Sequence, residues 1–405
     1  MQDNIKYIGM NICKITPHIH YLGINDRTTH KFENLWPLPY GISYNSYVVK
    51  GSEKVSLIDT VNEAGFHTFL SNIHEEIGLT SIDYLVVNHM EPDHSGAIPD
   101  ILHLYPNLKI IGNKVTLGML KGFYGVEEDR FLEIKDYEEI SLGDVTLKFV
   151  LTPLVHWPET MMTFVKEENV LFSGDAFGCF GALNGGIIDF EMDTDWYMDE
   201  MYRYYSNIVG KYGKPAQMAL KKTDNLEVKY ICSTHGPVWH DRIKEVVDIY
   251  NRLSLYEGED GVTIVYGSMY GNTGNVAEVI ARRLAEKGVK TIKIHNASKS
   301  DMSYIISDAF RYKGLIIGSP TYSGSLFPPI EEFLTALEVR EVKNKIVATF
   351  GSFTWASGAC KKMNECLVRL KMEQVATMDM KQAPSSYDIE AAHKIADNMA
   401  DALAL

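Results

Sequence analysis

Short apolar runs separated by turn-forming residues dominate the first part of the chain. Alternating runs over residues 44–49 and 55–58 are bounded by glycines and serines, which predicts β-strands. Apolar residues then recur at helical spacing over residues 63–78, which predicts an amphipathic helix. The apolar run over residues 84–87 follows and predicts a buried strand.

A second round of the same pattern comes next along the chain. A strand is predicted over residues 109–111 and a helix over residues 115–123. Further strands are predicted over residues 146–151, 161–165 and 170–172. Strands followed by helices, in two rounds, predict a layered α/β sandwich for this part of the chain.

The periodicity starts again after a polar, glycine-containing segment at residues 256–261, which we interpret as a linker. Beyond it, helical segments separate five predicted strands, at residues 262–266, 289–294, 314–318, 345–351 and 374–378. This alternation predicts a doubly wound parallel sheet, whose ligand crevice lies beyond the carboxyl ends of the strands. We therefore expect two α/β domains, at residues 1–255 and 260–405.

Composition and charge narrow the class of protein. The chain has 405 residues, 45% of them hydrophobic and 23% charged, which is typical of a soluble protein with two domains. It has no apolar run of membrane length and no basic segment followed by an apolar one near its start, so we expect a cytoplasmic protein without a membrane span. A net charge of -14 makes nucleic acid an unlikely partner.

The five cysteines are widely spaced, and none forms a Cys-x-x-Cys pair. This spacing is typical of a reducing compartment. It also argues against a rubredoxin-like iron centre or a four-cysteine iron–sulfur cluster in this sequence, because both need closely spaced cysteines.

Residues of the kind that bind metals follow four of the predicted strands. The strand at residues 84–87 leads into a cluster of four, and the predicted strands at residues 147–151, 170–173 and 230–233 supply one each. Together they are four histidines and three carboxylates: His89, Glu91, Asp93, His94, His156, Asp175 and His235. Imidazole and carboxylate suit zinc, iron or manganese, and seven ligands are enough for two ions.

This set of residues, in this order, resembles the flavodiiron branch of the metallo-β-lactamase superfamily, over residues 1 to about 250. The resemblance implies one iron held by His89, Glu91 and His156, a second held by Asp93, His94 and His235, and Asp175 as the bridge between them. Hydrolases of the superfamily usually carry histidine where this chain has Glu91. The additional carboxylate makes the site more anionic, which favours iron over zinc and redox work over hydrolysis.

Two features near this site are less regular. Many family members have a Phe-His-Gly-Tyr segment whose histidine lies beside the metals, but this chain reads Phe32-Glu33-Asn34-Leu35-Trp36, and His30 is offset from the matching position. The pair Tyr204-Tyr205 resembles a tyrosine motif that the family places near the iron pocket. Packing of two aromatic residues on a helix is the alternative interpretation.

The second half resembles flavodoxin, which implies FMN as the ligand. A loop rich in glycine and hydroxyl groups joins the strand at residues 262–266 to a helix and can bind a phosphate through its N–H and O–H groups. It is neither Gly-x-Gly-x-x-Gly nor a P-loop. The residues assigned to FMN are those of this loop and of two loops that match the flanks of the flavin ring: Ser268, Met269, Tyr270, Gly271, Asn272, Thr273, Pro320, Thr321, Tyr322, Ser323, Ser352, Phe353, Thr354 and Trp355.

The two resemblances together imply an oxidoreductase that passes electrons from FMN to a non-haem diiron centre and reduces dioxygen to water, nitric oxide to nitrous oxide, or both. They imply a head-to-tail homodimer, or a dimer of such dimers, and an electron donor that is either a separate rubredoxin-like protein or reduced coenzyme F420. A dinuclear metal hydrolase is the alternative, disfavoured by Glu91 and by the flavin half. An electron carrier with a vestigial metal site is a third interpretation, disfavoured by the complete ligand set.

Overall fold

The computed structural model describes residues 12–78 and 80–404. They form two compact units. The first extends to Tyr205 and includes Lys214–Asn251, and the second comprises Ser206–Gly213 and the chain from Arg252 onward. Near its start, the chain was expected to lack a basic segment followed by an apolar one. This expectation concerns residues 1–11, which lie outside the described part.

The first unit is built on two main sheets, with two further sheets of two strands each. In chain order its strands are β1 (Cys13–Lys14), β2 (Ile19–Tyr21), β3 (Ile24–Asp26), β4 (Lys31–Phe32), β5 (Trp36–Pro37), β6 (Ile42–Tyr44), β7 (Tyr47–Lys50), β8 (Val55–Ile58), β9 (Tyr84–Val86), β10 (Lys109–Gly112), β11 (Phe131–Glu133), β12 (Glu139–Ser141), β13 (Thr146–Leu151), β14 (Met161–Val165), β15 (Val170–Gly174) and β16 (Tyr230–Ser233). Its helices are α1 (Phe66–Ile77), α2 (Pro92–Ser95), α3 (Ile98–Leu104), α4 (Lys114–Tyr124), α5 (Asp195–Tyr204), α6 (Gly213–Thr223) and α7 (Ile243–Ser254).

Among the described residues, the larger sheet has the order β1-β2-β7-β8-β9-β10-β11, and the smaller has the order β12-β13-β14-β15-β16. Strands β8 to β11 run parallel, and β15 also pairs in parallel with β16. The two sheets contact each other where the ring of Tyr47 on β7 lies 5.1 Å from that of Phe172 on β15. Both side chains are buried, so this face is part of the core, and the predicted layered sandwich is confirmed.

The predicted strand at residues 44–49 is divided in the structure, and the reason is local. The backbone N–H of Asn45 donates to the carbonyl of Thr234 at 2.8 Å instead of to a neighbouring strand. The side-chain amide of Asn45 also donates to the carbonyls of Ser233 and Gly236. The run therefore ends as β6 and resumes as β7, and Asn45 ties the larger sheet to the loop after β16.

The second unit is a five-stranded parallel sheet with helices between the strands. In chain order its elements are β17 (Glu259–Tyr266), α8 (Asn272–Glu286), β18 (Ile292–Asn296), α9 (Met302–Arg311), β19 (Tyr312–Pro320), α10 (Pro328–Val339), β20 (Ile346–Phe353), α11 (Ala359–Arg369), β21 (Glu373–Lys381) and α12 (Ser386–Ala402). The sheet order is β18-β17-β19-β20-β21, and all neighbours pair in parallel. This is the doubly wound order 2-1-3-4-5, so the predicted fold class of the second half is confirmed.

Three predicted boundaries in this unit were wrong. The segment interpreted as a linker at residues 256–261 is partly strand, because β17 already begins at Glu259, whose carboxylate pairs with Arg252 and Arg311 at 2.9 Å. Helix α8 begins at Asn272, inside the predicted phosphate loop. Val289 is buried, but its backbone N–H donates to the carbonyl of Leu284 at the end of α8. Strand β18 therefore begins only at Ile292.

Lys345 is a buried cation directly before β20. Its Nζ donates to the carbonyls of Phe310 and Tyr312 at 2.6 and 2.8 Å, where α9 ends and β19 begins. Burial lowers the pKa of Lys345 from its ordinary value of 10.5 to about 7. The folded protein therefore binds fewer protons at this position than the unfolded chain between these two pH values.

We expect Lys345 to make the stability of the protein depend on pH. As the pH falls from 10.5 to about 7, the free energy of unfolding should drop by up to about 1.4 kcal/mol per pH unit through this group, and it should not change further below that range. The free energy of unfolding, measured in urea for the wild type and for Lys345→Met across this pH range, isolates the effect as the difference between the two proteins. The variant of an exposed lysine, Lys290→Met, should show no such difference, and equal slopes for Lys345→Met and the wild type would contradict the prediction.

Candidate metal centre

The loops after four strands of the first unit carry the seven predicted ligands. The segment after β9 supplies His89 and Glu91, and the short helix α2 that follows it carries Asp93 and His94. The loops after β13, β15 and β16 supply the remaining three, which are His156, Asp175 and His235. Six of the seven are buried and Asp93 is half-buried, although each is a polar residue. Buried polar groups need partners, so the question is what these side chains face.

The first group of ligands surrounds the carboxylate of Glu91. Its Oε2 lies 3.2 Å from Nε2 of His89 and 3.1 Å from Nε2 of His156. The same two nitrogens lie 3.6 and 3.1 Å from Oδ2 of Asp175. Two imidazoles and two carboxylates therefore converge on one point.

The second group surrounds Asp93. Its Oδ2 lies 3.1 Å from Nε2 of His94 and 3.3 Å from Nε2 of His235. The other oxygen of Asp175, Oδ1, lies 3.0 Å from Nε2 of His94 and 3.9 Å from that of His235. Asp175 thus turns one oxygen to each group, which is the arrangement of a bridging ligand.

The donor atoms fit metal ions. Within each group the ligand atoms lie within 4.8 Å of one another. Two ligands bound at 2.1 Å and at a right angle would be about 3.0 Å apart, close to the distances found here. Moreover, both oxygens of Asp93 and the Nε2 atoms of His94 and His235 are buried without a hydrogen-bond partner. Such atoms are expected where a cation completes their bonding.

The electrostatics favour cations as well. Burial opposes a charge on each group, but the carboxylates outweigh it and raise the pKa of His94 to about 10 and that of His156 to about 9. In the other direction, the charges of His94 and His89 hold the pKa of Asp175 well below its usual range against the effect of burial. The site therefore concentrates negative charge that positive groups must offset.

Two outer partners of the ligands were missed by the sequence analysis. Nδ1–H of His89 donates to Oε1 of Glu159 at 2.8 Å, and this oxygen also accepts the N–H of Met90 at 2.8 Å. Nδ1–H of His235 donates to the carbonyl of Ser43 at 2.7 Å. Both bonds fix the ring so that Nε2 faces the ligand group. Glu159 is close to His156 in sequence, and a second acidic residue in that loop was the available signal.

The two tyrosines proposed from the sequence have different surroundings. The ring of Tyr204 lies 5.5 Å from that of His235, and its buried hydroxyl has no hydrogen-bond partner. The ring of Tyr205 packs at 4.9 Å against Tyr250. Tyr204 therefore lies at the metal centre, and the chemical role of both residues stays a prediction.

The segment that departs from the family pattern also lies at the centre. Phe32 packs its ring 5.4 Å from that of His235. Nε1–H of Trp36 donates to the carboxylate of Glu33 at 3.0 Å. His30 is exposed, and its carbonyl accepts the N–H of Leu38 at 2.9 Å. Phe32 thus contacts a ligand ring from this segment.

In the second unit the three loops assigned to FMN converge at the carboxyl ends of β17, β19 and β20 around one groove. Most of the assigned residues line it, together with Gln382, which the sequence analysis missed: Ser268, Met269, Tyr270, Asn272, Thr273, Pro320, Thr321, Ser352, Phe353 and Thr354. The other assigned residues, Gly271, Tyr322, Ser323 and Trp355, belong to the same loops, and the side chain of Trp355 is exposed.

The groove has the donors that a phosphate needs. Gly271, with φ +97°, directly precedes α8, so the first N–H groups of this helix point out of the loop. The hydroxyl of Ser268 accepts the N–H groups of Gly271 and Gly274 and keeps the turn closed. The hydroxyls of Thr273 and Ser352 lie 2.9 Å apart, and their contact joins two of the loops. The donor set fits the phosphate of a flavin nucleotide.

Comparisons with known proteins agree with both sites. Residues 42–236 match the model of the ODP family beta lactamase, and residues 264–395 match that of flavodoxin. The anaerobic nitric oxide reductase flavorubredoxin of Vibrio vulnificus is 32% identical over 372 residues, which cover 91% of this chain and 75% of that protein. The chain belongs to the flavodiiron protein family. Among solved structures, the rubredoxin:oxygen oxidoreductase of Desulfovibrio gigas has a TM-score of 0.92 at 28% identity and covers 97% of this chain and 99% of that one.

A flavodiiron protein from Giardia intestinalis has a TM-score of 0.90 at 27% identity, over 98% of this chain and 97% of that one. This flavodiiron protein is accordingly an oxidoreductase, and its cofactors are FMN and a pair of iron ions. The seven side chains of the first unit would hold the iron and the groove of the second unit would hold FMN. Within the described residues, none of its helices has the length and apolar character of a membrane span.

We expect Glu159 to control how tightly the first ligand group holds its ion. Glu159→Leu removes the acceptor of His89 Nδ1–H, so metal affinity should fall by about 10- to 100-fold. Glu159→Gln keeps a carbonyl acceptor and should lose much less. Iron bound per chain, measured during titration with a chelator, tests this, and Glu127→Leu serves as the control because Glu127 is exposed. Equal affinities for Glu159→Leu and the wild type would contradict the role.

Proposed function

We propose that this flavodiiron protein reduces dioxygen to water, nitric oxide to nitrous oxide, or both, and so removes these gases. The observation that carries the proposal is the position of Asp175, whose two oxygens face two separate groups of ligands. A shared carboxylate supports a coupled pair of ions rather than two independent ones, and a pair can act on one small oxidant. Bound iron and FMN would supply the electrons for either reduction.

The residues around the ligands have distinct tasks in this proposal. The carboxylates of Glu91, Asp93 and Asp175 offset the charge of the ions, and Glu159 and the carbonyl of Ser43 orient two of the imidazoles. Phe32 is buried beside the ring of His235 and limits access of water on that side. The hydroxyl of Tyr204, buried without a hydrogen-bond partner, would serve as a hydrogen-bond donor to a bound oxidant.

The names of the relatives support both gases. One is called a nitric oxide reductase, and a solved neighbour is called a rubredoxin:oxygen oxidoreductase. We propose that the electron donor is a separate rubredoxin-like protein or reduced coenzyme F420. The first option is supported by the name of the protein from Desulfovibrio gigas.

We also propose that the working assembly is a head-to-tail homodimer, or a dimer of such dimers, as the family resemblance implies. A cytoplasmic location remains part of the proposal. It is supported by the five cysteines, which are all free and lie within the described residues.

The decisive experiment reduces the purified protein without oxygen and then adds each gas separately, with the absorbance of the flavin as readout. We expect rapid reoxidation of the flavin by at least one gas. Asp175→Asn removes a negative charge that both ligand groups share. Loss of an outer hydrogen-bond partner costs about 10- to 100-fold, so loss of this shared ligand charge should slow reoxidation of the flavin by about 100-fold or more.

The FMN content of Asp175→Asn should be unchanged, because Asp175 lies in the first unit and the FMN groove in the second. Asp224→Asn, at an exposed aspartate, is the matched control and should behave as the wild type. Slow reoxidation of the wild type by both gases would reject the reductase function. Two zinc ions and no bound flavin in the purified protein would instead favour a hydrolase.

Tyr204 and Tyr205 can be separated by matched variants. Tyr204→Phe removes the buried, unpartnered hydroxyl at the metal centre, and we expect turnover with the preferred gas to fall by about 100-fold if this group supplies a proton. Tyr205→Phe should leave turnover close to that of the wild type, because the Tyr205 ring packs on Tyr250. Equal effects of the two variants would show that the motif acts through packing.

A further inference from the structure

The groove that holds FMN has a fourth wall. The loops after β17, β19 and β20 form three walls, and the fourth is Gln382, which directly follows β21. Strand β21 pairs with β20 as far as Lys381 and Phe353. The N–H of Gln382 extends this pairing with a hydrogen bond of 2.8 Å to the carbonyl of Phe353. The backbone of Gln382 is therefore fixed to the loop after β20.

The other walls are bonded to the same loop. The N–H of Thr321 donates to the carbonyl of Ser352 at 2.7 Å, and the hydroxyl of Ser352 lies 2.9 Å from that of Thr273. The loop after β20 thus connects the segments that follow β17, β19 and β21. Because each wall is tied to this loop, the walls have defined positions relative to one another, which lowers the cost of binding a ligand between them.

The side chain of Gln382 is free to contact a ligand. Gln382 has a φ angle of 63°, in the left-handed region that residues other than glycine rarely adopt. The residue is exposed, so packing in the core does not account for this conformation. Within the described residues its side-chain amide makes no hydrogen bond, although Gln382 lines the groove. An unfavourable backbone conformation that places a free amide at a ligand groove indicates a binding role.

The size and lining of the groove indicate which part of FMN it surrounds. Its volume is about 90 Å³, whereas a pocket that encloses a whole ligand measures about 300–1,000 Å³. Ser268 and Asn272, at the start of α8, contribute to it, so the groove surrounds the phosphate end. None of the lining side chains named above is charged, and a phosphate there depends on neutral donors. The side-chain N–H of Gln382 is such a donor.

We propose that the side-chain amide of Gln382 donates a hydrogen bond to the phosphate of FMN and so slows release of the flavin. The strand β21 thereby adds a fourth contact to the three loops that resemble those of flavodoxin. A carboxylate at the same position would repel the phosphate instead. The contact concerns the binding of FMN alone, so it goes beyond the proposed reduction of dioxygen or nitric oxide.

The test measures release of flavin from the full-length protein loaded with FMN, and from a second preparation loaded with riboflavin, which lacks the phosphate. The rise in flavin fluorescence after dilution gives the rate of release. Gln382→Met keeps the length of the side chain but removes the donor, so FMN should leave about tenfold faster. Gln382→Glu places a negative charge beside the phosphate, so FMN should leave faster still. Both variants should release riboflavin at the wild-type rate.

Gln374→Met is the matched control. Gln374 is exposed on the same strand, and its amide donates to Asn364 at 2.7 Å, outside the groove. This variant should release both flavins as the wild type does. Wild-type release of FMN from Gln382→Met, or equal acceleration of FMN and riboflavin, would overturn the proposal. Thermal unfolding of every variant shows whether the fold is intact. No gas is added, so failure of the proposed function is distinguishable from failure of this inference.

Discussion

The burial of three carboxylates close to one another is the constraint on which the first unit depends. Glu91 and Asp175 are almost completely buried, and Asp93 is half-buried with both oxygens unpartnered. Like charges at this distance are unfavourable unless positive groups lie between them. Four imidazoles occupy these positions, and the raised pKa of His94 shows how strongly the carboxylates attract a positive charge. A pair of iron ions satisfies the same requirement with more charge.

The two-sheet architecture explains how such a site is held without long loops. Ligands come from strands of both sheets, so their geometry depends on how the sheets are joined. Asn45 makes that connection through its bonds to the carbonyls of Ser233 and Gly236, which flank His235. Within the larger sheet, Asp59 accepts the N–H of Asn88 at 2.7 Å and its amide at 2.9 Å, which fixes the backbone directly before His89. Buried polar bonds of this kind position the ligands because no alternative partner is available.

Site residues that are recognised by their side-chain type at the end of a strand could be predicted from the sequence. Features that depend on backbone groups, or on contacts between residues far apart in sequence, could not. All seven residues predicted as ligands converge in the structure, because each one follows a recognisable strand. Ser43 could not be found in this way, since it acts through its carbonyl, and neither could Gln382, which follows β21 in a segment without glycine. The division of the predicted strand at residues 44–49 likewise depends on a bond to Thr234, which is far away in sequence.

The two ligand groups are chemically unequal, although their ligand types match. In the first group, His89 donates to the carboxylate of Glu159. In the second group, His235 donates to the neutral carbonyl of Ser43, and the ring of Tyr204 lies 5.5 Å from that of His235. An imidazole bonded to a carboxylate is the more basic ligand. The imidazole of His89 is therefore the more basic ligand, whereas that of His235 has a neutral partner, so the first group is better suited to stabilise the higher charge on an ion.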